Sequence, residues 1–444
     1  MMNLGKFTRE TIITFSTRIF ALLAAIGTSV VLARTLGPQG QGYYSLAVLF
    51  PSVVVTFFNF GIGPATVYYV ARKEFEWGEI LGNNLVLSML IGGIGVLVGL
   101  IIVCFFQSAI LPGVPQKYLL LAIWLIPLNL FYSYIRQMLL GAQYIKKYNY
   151  TQIARAVLFF VFILSTLVVL RTGVPGAIIA NSAAWLFVDV FTFRLSQRVA
   201  GEIRLRPNII YIKKSIAYGL QSHLSNVLSF LNYRVDVFLV NVILNPAAAG
   251  LYSVGVGLAE QLWIISSSAA MILFPRVAAE TDSQRLRSFT PLVARSVFWV
   301  SALGALTLFF LSHWIILLLY STSFLPAVHV LRALLVGVVA LSVGRVFAHD
   351  IAGRGHPELN VYTALASAIT NVILNLLWLP QYGIVGAAWA STVSYTISFL
   401  GALFFYCRLS ENYWAKVLLP RKQDWKMYFE ATKILYKVAF RRTP

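Results

Sequence analysis

Seven arginines lie inside apolar stretches of this chain, where a charged side chain is costly and is typical of a site for an ion, a substrate or a partner charge. They are Arg18, Arg136, Arg155, Arg234, Arg295, Arg332 and Arg345. The planar guanidinium group presents a fork of N–H donors that matches phosphate and pyrophosphate oxygens. These residue types therefore predict binding of a phosphorylated, anionic substrate inside a membrane.

The seven arginines differ in their expected depth. Three of them lie within about two helical turns of the predicted cytoplasmic boundary, where a long side chain can reach the lipid headgroups. These three are Arg136, Arg155 and Arg295. The deeper positions are Arg18, Arg234 and Arg332, with Arg345 intermediate. We expect the four deeper or intermediate arginines to bind substrate, and the three near the boundary to contact lipid headgroups.

Helical spacing groups some of these residues into polar stripes. One stripe contains Arg18 and Ser29, and a second contains His223, Arg234 and Asn241. Both stripes are expected to face one central cavity. A cavity role for Arg18 and Arg234 is the prediction, and structural pairing within the protein is the alternative.

An interrupted stretch of sequence adds one further candidate for substrate binding. Asn59 is followed by Gly61, Gly63 and Pro64, well inside a predicted span. Interrupted helices often line transport sites. We therefore add Asn59 and His223 to the predicted substrate-binding residues.

Only four carboxylates fall within the apolar stretches, and two of them, Asp236 and Glu260, lie deep. A buried carboxylate can take up H⁺ or Na⁺ and couple transport to an ion gradient. It can equally neutralise a nearby arginine. Asp236 lies two residues after Arg234, so the two side chains point in different directions on one helix. Both acids are coupling candidates, and the coupling ion, if any, is left open between H⁺ and Na⁺.

Membrane-spanning helices must position these side chains. Of the 444 residues 59% are hydrophobic and only 11% are charged, and the mean hydropathy is +0.78. That is too little polar surface for a water-soluble globule. Twelve apolar stretches are long enough to cross a hydrocarbon core of ~30 Å. They cover 11–33, 43–70, 81–106, 118–142, 151–170, 175–193, 217–243, 251–275, 291–319, 325–350, 359–379 and 384–407. The predicted fold is an all-α integral membrane protein.

The chain contains an internal duplication. The decapeptide pattern Leu-x-Pro-x-x-x-Gly-x-Tyr-Ser occurs at 36–45 and again 208 residues later at 244–253. The pattern Gly-x-x-Gly-Ala-x-x-Ala at 173–180 recurs 210 residues later at 383–390. Six spans per half predict two lobes related by an axis along the membrane normal. The expected divisions are a first lobe at 1–193, a basic cytoplasmic linker at 194–214, a second lobe at 215–407 and a basic amphipathic cytoplasmic tail at 408–444.

The basic residues predict the orientation of the chain. Segments placed on the cytoplasmic side hold 25 lysines and arginines, whereas the outer loops hold three. Because short cytoplasmic loops carry the excess of cations, both termini are expected in the cytoplasm. The net charge of +20 then indicates anionic membrane lipids as a partner rather than nucleic acid. The tail is expected to lie on the membrane as an amphipathic helix, with a solvated basic tail as the alternative.

Three segments resemble a known family. They are "VLARTLGPQGQGYYSLA" at 31–47, "NFGIGPA" at 59–65 and "RVDVFLVNVILNPAAAGLYSVG" at 234–255. Together they resemble the polysaccharide-export, Wzx-type branch of the multidrug/oligosaccharidyl-lipid/polysaccharide (MOP) exporter superfamily. The resemblance implies two six-helix lobes arranged as in the multidrug and toxic compound extrusion (MATE) transporters, around a cationic cavity that opens alternately to each side.

The resemblance also implies a cargo and a cellular context. The cargo is an oligosaccharide linked to undecaprenyl pyrophosphate, flipped from the cytoplasmic to the outer leaflet for surface polysaccharide biosynthesis. The membrane is the cytoplasmic membrane of a bacterium or archaeon, and polysaccharide polymerase or ligase machinery is an expected partner. No nucleotide-binding loop, metal-ligand cluster or pair of catalytic acids is evident in the sequence, so we expect a transporter without a cofactor and not an enzyme.

Two other functions stay open from the sequence. A MATE-like exporter of drugs or organic cations would need cavity carboxylates that outweigh the cavity arginines, and here the deep charges lean the other way. A membrane glycosyltransferase or polymerase would need acidic catalytic groups and long outer loops. The short predicted outer loops favour the transporter.

Overall fold

The structure is a computed structural model, and it describes the backbone of residues 4–279 and 283–419. Within these ranges the side chains of 4–16, 18, 221–222, 271–272, 274–276, 278–279 and 283–286 are not described. The predicted amphipathic helix of the tail lies outside the described residues beyond Leu419. All regular secondary structure in the described ranges is helical.

The described residues of the first half of the chain form seven helices. The long element Leu4–Phe58 has a non-helical residue, Gly37, so we divide it into α1 (4–36) and α2 (38–58). The next helices are α3 (Ile62–Arg72), α4 (Trp77–Ile110), α5 (Gln116–Gly141), α6 (Ile145–Val169) and α7 (Gly173–Ala200). Helices α4 and α6 each contain a π-helical turn near their C-terminal end, at Ile102–Phe106 and Leu164–Val169.

The second half repeats this order. Its helices are α8 (Ile209–Ile243), α9 (Pro246–Glu260), α10 (Trp263–Ala279), α11 (Ser283–Leu319) and α12 (Ala327–Gly353). The element Pro357–Ser410 is broken at Gly383 into α13 (357–382) and α14 (384–410), and a short helix α15 (Trp414–Leu418) follows.

Among the described residues nine helices are long and apolar enough to cross a membrane, and ten if the bent pair α9 and α10 counts as one span. Two of these elements are the ones broken at Gly37 and Gly383. Dividing both gives the twelve spans that hydropathy predicts. The fold is therefore the predicted all-α membrane fold.

The repeated glycine motifs mark equivalent breaks in the two halves. Gly173 and Gly383, the first residues of the two motifs, have φ values of 66° and 58°. This left-handed conformation suits glycine because it lacks a Cβ atom. Gly173 is the first residue of α7, and Gly383 immediately precedes α14. These two helices are the sixth span of each half.

The decapeptides mark a second pair of equivalent breaks, between the first and second spans of each half. In each copy the proline, Pro38 or Pro246, begins the second span of its half, α2 or α9. Proline suits the first turn of a helix because the N–H it lacks would have no partner there. Most of each decapeptide is thus helical and does not form the loop expected from hydropathy. We call the side of the membrane where the decapeptides lie the decapeptide end.

The two lobes are in close contact at the decapeptide end. A Cβ atom on Gly42 would lie 1.7 Å from the carbonyl oxygen of Pro246, and one on Gly250 would lie 2.1 Å from that of Pro38. The two copies of the repeat therefore pack against each other, glycine against backbone. Arg34 adds a 2.7 Å hydrogen bond from its Nε to the carbonyl oxygen of Leu319 in the other lobe.

A second interlobe contact lies at the opposite side, which we call the linker end. Here α8 packs against α3 and the break before it, because a Cβ on Gly219 would lie 2.2 Å from the carbonyl oxygen of Phe60. The rings of Tyr68 and Tyr218 stack with their centroids 4.6 Å apart. The lobes thus touch at both ends and leave space between them at mid-depth.

The predicted linker at 194–214 is largely helical. Helix α7 continues to Ala200 and α8 begins at Ile209, so only 201–208 is non-helical. A helix can continue beyond the hydrocarbon core, so apolar stretches underestimate its length. The linker cations pair with acids of the first lobe: Arg204 lies 2.9 Å from Glu76, and Lys214 lies 2.5 Å from Glu74. The hydrogen bond to Glu74 raises the pKa of Lys214 above its ordinary value.

Candidate functional site

A cavity of about 610 Å³ lies between the lobes at mid-depth. We call it the central cavity. Its walls come from α1 and α6 of the first lobe and from the bend between α9 and α10 of the second lobe. Polar lining groups include Thr28, Ser29, Gln152 and Gln261. Such groups can hydrogen-bond to a hydroxylated ligand such as a sugar.

Arg155 is a cation on the wall of the central cavity. Its guanidinium carbon lies 3.9 Å from the centre of the Trp185 ring, which holds the group by a cation–π contact. Among the described residues no carboxylate lies within 4.0 Å of it. The charge of Arg155 is therefore available to an anion in the cavity.

Sequence reasoning assigned Arg155 to the headgroup region, and the structure instead places it in the cavity. A signal for this position exists in the sequence. Gln152, Arg155, Ala156 and Phe159 follow the i, i+3, i+4, i+7 spacing of one helical face, and all four line the cavity. Distance from the end of an apolar stretch was a poorer guide because α6 begins at Ile145, before that stretch.

Arg234, one of the predicted substrate-binding residues, lies in a smaller space of about 320 Å³ next to the central cavity. Tyr44 and Glu260 line both spaces. The Nη1 and Nη2 atoms of Arg234 donate to the two carboxylate oxygens of Glu260, both at 2.9 Å. This bidentate ion pair occupies the fork of the guanidinium group. Arg234 is thus paired, the alternative that the sequence left open, and Glu260 is its partner.

Asp236, the other coupling candidate, points away from the cavity into the interior of the second lobe. It is fully buried and accepts hydrogen bonds from the Tyr252 hydroxyl at 2.6 Å, the Ser391 hydroxyl at 2.9 Å and the Val237 backbone at 2.7 Å. No arginine or lysine among the described residues forms an ion pair with it.

A buried amide pair lies beside the Asp236 carboxylate. Asn371 donates to Ser391 at 3.3 Å, and Asn375 donates to the side-chain oxygen of Asn371 at 2.8 Å. The side-chain oxygen of Asn375 has no hydrogen-bond partner in the described part of the chain. The result is a buried, oxygen-rich cluster with one unpaired carboxylate, built from α8, α9, α13 and α14.

Arg345 and Arg332, both predicted to bind substrate, lie on α12 in different surroundings. The guanidinium carbon of Arg345 lies 4.0 Å from the centre of the Trp263 ring and 5.2 Å from that of Tyr233. Tyr233 precedes Arg234 in the chain, and Trp263 follows the bend after Glu260. Arg332 does not line the central cavity. It faces a separate groove on the side of the second lobe.

The remaining predicted residues lie at the helix breaks or outside the described side chains. His223 hydrogen-bonds to the carbonyl oxygen of Phe57 at 3.1 Å, and Asn59 donates to Ser133 at 3.2 Å. Both lie near the break between α2 and α3 and do not line the central cavity. The side chain of Arg18 is outside the described residues. Its helix, α1, contributes Ala21 and Leu22 to the cavity wall one turn later.

Two helical lobes around a polar interlobe cavity give this membrane protein the fold of the MOP exporter superfamily. Solved structures with this fold include a MATE family multidrug transporter in an inward-facing conformation (TM-score 0.76, 14% identity, 90% of this chain and 98% of that one). Another is the lipid II flippase MurJ in an inward closed conformation (TM-score 0.74, 16% identity, 98% of this chain and 93% of that one).

The chain belongs to the family of polysaccharide biosynthesis proteins, which it matches over residues 31–329. Two archaeal relatives agree with a membrane role. An uncharacterised membrane protein of Methanocaldococcus jannaschii is 21% identical over 86% of this chain and 93% of its own length. A probable low-salt glycan biosynthesis flippase of Haloferax volcanii is 22% identical over 44% of this chain and 42% of its own length.

Proposed function

We propose that this protein flips a lipid-linked oligosaccharide, carried on undecaprenyl pyrophosphate or a related polyprenyl pyrophosphate, from the cytoplasmic to the outer leaflet. The observation that carries the proposal is the unpaired guanidinium of Arg155 in a polar cavity between two lobes, in a chain of a polysaccharide biosynthesis family. The arginine would bind the pyrophosphate, and the polar lining would hydrogen-bond to sugars. The prenyl chain would remain in the bilayer between the lobes.

In this proposal the decapeptide end faces the outside, and both termini lie in the cytoplasm. The distribution of lysines and arginines supports this orientation. The Gly42 and Gly250 contact then closes the cavity toward the outside, and separation of the two helices would open it. The flipped carrier would be passed to a polymerase or ligase in the same membrane.

The proposal can be tested in proteoliposomes that contain the purified protein and a fluorescent polyprenyl-pyrophosphate oligosaccharide. We expect the glycan to become accessible to a membrane-impermeant lectin or glycosidase at a rate proportional to the amount of protein. Vesicles that contain the same lipid with a neutral linkage in place of pyrophosphate serve as the control. Equal rates for both lipids would contradict recognition of the pyrophosphate.

A drug or organic-cation exporter is the second candidate, because MATE transporters share the fold. It is disfavoured by the charges on the cavity wall, where Glu260 is already neutralised by Arg234 and Arg155 leaves an excess of positive charge. Protection of a drug-sensitive strain by this protein, with no glycan transfer in vesicles, would favour the exporter.

We further propose that Asp236 couples transport to a cation gradient. Its buried carboxylate lacks an ion-pair partner among the described residues, and the oxygen atoms of Asn371, Asn375 and Ser391 nearby are of the type that hold Na⁺. Protonation of the carboxylate is the alternative route. Uptake of either cation would neutralise a charge that is otherwise costly to bury.

Asp236→Asn is expected to remove the dependence of flipping on the coupling gradient. Asparagine keeps the size of the side chain and loses the charge. We expect accelerated flipping in an imposed Na⁺ or H⁺ gradient for the parent, and the same rate with and without the gradient for the variant. Asp350→Asn is a matched control, because Asp350 is also buried in the second lobe but is paired with Arg354. A variant at Asp236 that retains the parental response would exclude this carboxylate.

The Arg234 and Glu260 pair is expected to be coupled energetically. Either Arg234→Gln or Glu260→Gln alone leaves a largely buried charge without its partner, which should destabilise the protein by about 1–3 kcal/mol. The double variant removes both charges, so its destabilisation should be clearly smaller than the sum of the two single effects. Thermal unfolding followed by tryptophan fluorescence measures this difference. Additive effects would mean that the interaction between Arg234 and Glu260 does not stabilise the purified protein.

A further inference from the structure

A groove of about 800 Å³ runs along the outside of the second lobe, between α11, α12 and α14. We call it the lateral groove. Its walls are almost entirely apolar and include several large side chains that no other part of the described chain covers. Examples are Leu306, Val336 and Trp389, which are 54%, 62% and 47% exposed.

The lateral groove is separate from the central cavity. Helix α12 lies between them, since it packs closely on α9: a Cβ atom on Gly255 of α9 would lie 2.7 Å from the side chain of Val330. The groove also belongs to one lobe alone, so it does not depend on contact between the lobes. A ligand of the groove is therefore distinct from a cargo in the central cavity.

The end of the groove nearest the decapeptide end carries the positive charge of Arg332. Arg332 and His329 both line this end, in the first two turns of α12. The Nε atom of Arg332 donates to the Ser312 hydroxyl at 2.8 Å and to the carbonyl oxygen of Phe309 at 3.2 Å, and its guanidinium lies over the Phe309 ring. The arginine is thereby fixed in position.

The other two nitrogens of Arg332 are directed to no acceptor in the described part of the chain. No carboxylate there lies within 4.0 Å of the guanidinium group. An arginine that is anchored through Nε and leaves Nη1 and Nη2 without acceptors can bind two oxygens of one phosphate. The guanidinium group of Arg332 thus gives the apolar groove a charged end that can bind an anion.

The opposite end of the groove is closed. Arg295 lies there, and its Nη1 atom donates to the carbonyl oxygens of Lys416 and Val417 in α15, at 3.1 and 3.2 Å. Between Phe309 and Ala294, residues that line its two ends, α11 rises by about 22 Å at 1.5 Å per residue. The groove is thus longer than one leaflet of a ~30 Å core. Its shape suits an extended hydrocarbon chain with one anionic end.

We propose that the lateral groove binds one acyl chain of an anionic phospholipid, whose phosphate is bound by Arg332 in the leaflet at the decapeptide end. The lipid is a resident of the second lobe. It would cover the exposed apolar side chains of the groove and supply the acceptors that Arg332 lacks. The proposal does not depend on the identity of the cargo, since the groove and the central cavity lie on different sides of α12.

The experiment compares lipids retained by the purified, full-length protein in native mass spectrometry. The protein is incubated with equal amounts of phosphatidylglycerol and phosphatidylcholine that carry the same acyl chains. We expect the parent to retain phosphatidylglycerol preferentially. In Arg332→Gln this preference should fall roughly ten-fold, because the charge-assisted contacts to phosphate are lost. Arg171→Gln, which removes an exposed arginine at the same end but outside the groove, should keep this preference.

A second variant tests the position of the acyl chain. Val336→Trp places a large side chain in the groove, and we expect reduced retention of both lipids, with the preference for phosphatidylglycerol unchanged. Three outcomes would overturn the proposal. The parent could show no preference, Arg332→Gln could keep the parental preference, or a polyprenyl phosphate could displace phosphatidylglycerol at equal concentration. The last outcome would assign the groove to the prenyl carrier instead.

Discussion

Gly250→Ala is expected to reduce transport by about 5- to 150-fold, because the added methyl group prevents the two copies of the decapeptide from packing. The new Cβ would lie 2.1 Å from the carbonyl oxygen of Pro38 and 2.7 Å from the backbone nitrogen of Gly42. Overpacking of a close helix contact costs about 1–3 kcal/mol, and each 1.4 kcal/mol is about a ten-fold change in the closure equilibrium. The reciprocal variant Gly42→Ala should have the same effect.

The effect has a structural readout besides transport. If closure at the decapeptide end is weakened, Ser45 should become more accessible from that side. Ser45 can be replaced by cysteine in a chain in which Cys104 and Cys407 are alanine, and its rate of labelling by an impermeant maleimide measured. We expect faster labelling when Gly250→Ala is added.

Gly257→Ala provides the matched control. Gly257 lies on the same helix two turns later, and a Cβ there would have no heavy atom within 4 Å. Both variants raise the helix propensity of α9 equally, so the difference between them isolates the interlobe contact. Equal flipping rates and equal labelling for the two variants would show that the decapeptide contact is not part of the transport cycle.

Arg155→Gln is expected to lower the flipping rate at subsaturating substrate by roughly 10- to 100-fold. Glutamine keeps a polar group of similar reach but loses the charge, and a hydrogen bond to a charged group contributes about 1.5–3 kcal/mol. Arg155→Lys should give an intermediate rate, since lysine keeps the charge without the planar fork. Flipping of the pyrophosphate-linked glycan in vesicles, measured over a range of lipid concentrations, checks both values.

Arg136→Gln is the control for Arg155. Arg136 lies on the neighbouring helix α5 and also stacks on aromatic rings, with its guanidinium carbon 3.6 Å from the centre of Tyr148. It does not line the central cavity but donates to the lining residue Gln152 at 3.3 Å, so its loss should lower the apparent substrate affinity much less than the loss of Arg155 does. A parental rate for Arg155→Gln at equal expression and thermal stability would reject the proposed anion site.

Much of the architecture could be predicted from the sequence because the bilayer imposes a simple rule. Every backbone polar group in the core must be satisfied within the protein, so long apolar stretches become helices. The repeats that contain Pro38 and Pro246, and Gly173 and Gly383, indicated a duplication. The structure adds that a helix break lies at or next to each of these four residues. The precise ends of helices could not be predicted, since helices continue into the headgroup region without an apolar signal.

From the sequence, the candidate site could be predicted only as a set of arginines whose charges are costly to place inside the membrane. Depth along a span favoured Arg234 and Arg332 and disfavoured Arg155. Depth, however, does not report which neighbour a side chain meets. The rotation and packing of α6 place Arg155 at the cavity, while α12 directs Arg332 toward the lateral groove.

The sequence by itself determined that this is a duplicated, polytopic helical protein with arginines inside the membrane, because hydropathy and repeats are properties of local sequence. The tertiary structure alone decided which of those arginines are neutralised. Glu260 lies 26 residues after Arg234 and on another helix, yet it takes both ends of that guanidinium fork, whereas no acid in the described part of the chain forms an ion pair with Arg155. An ion pair is a short-range contact, and only the packing of helices brings its two members together.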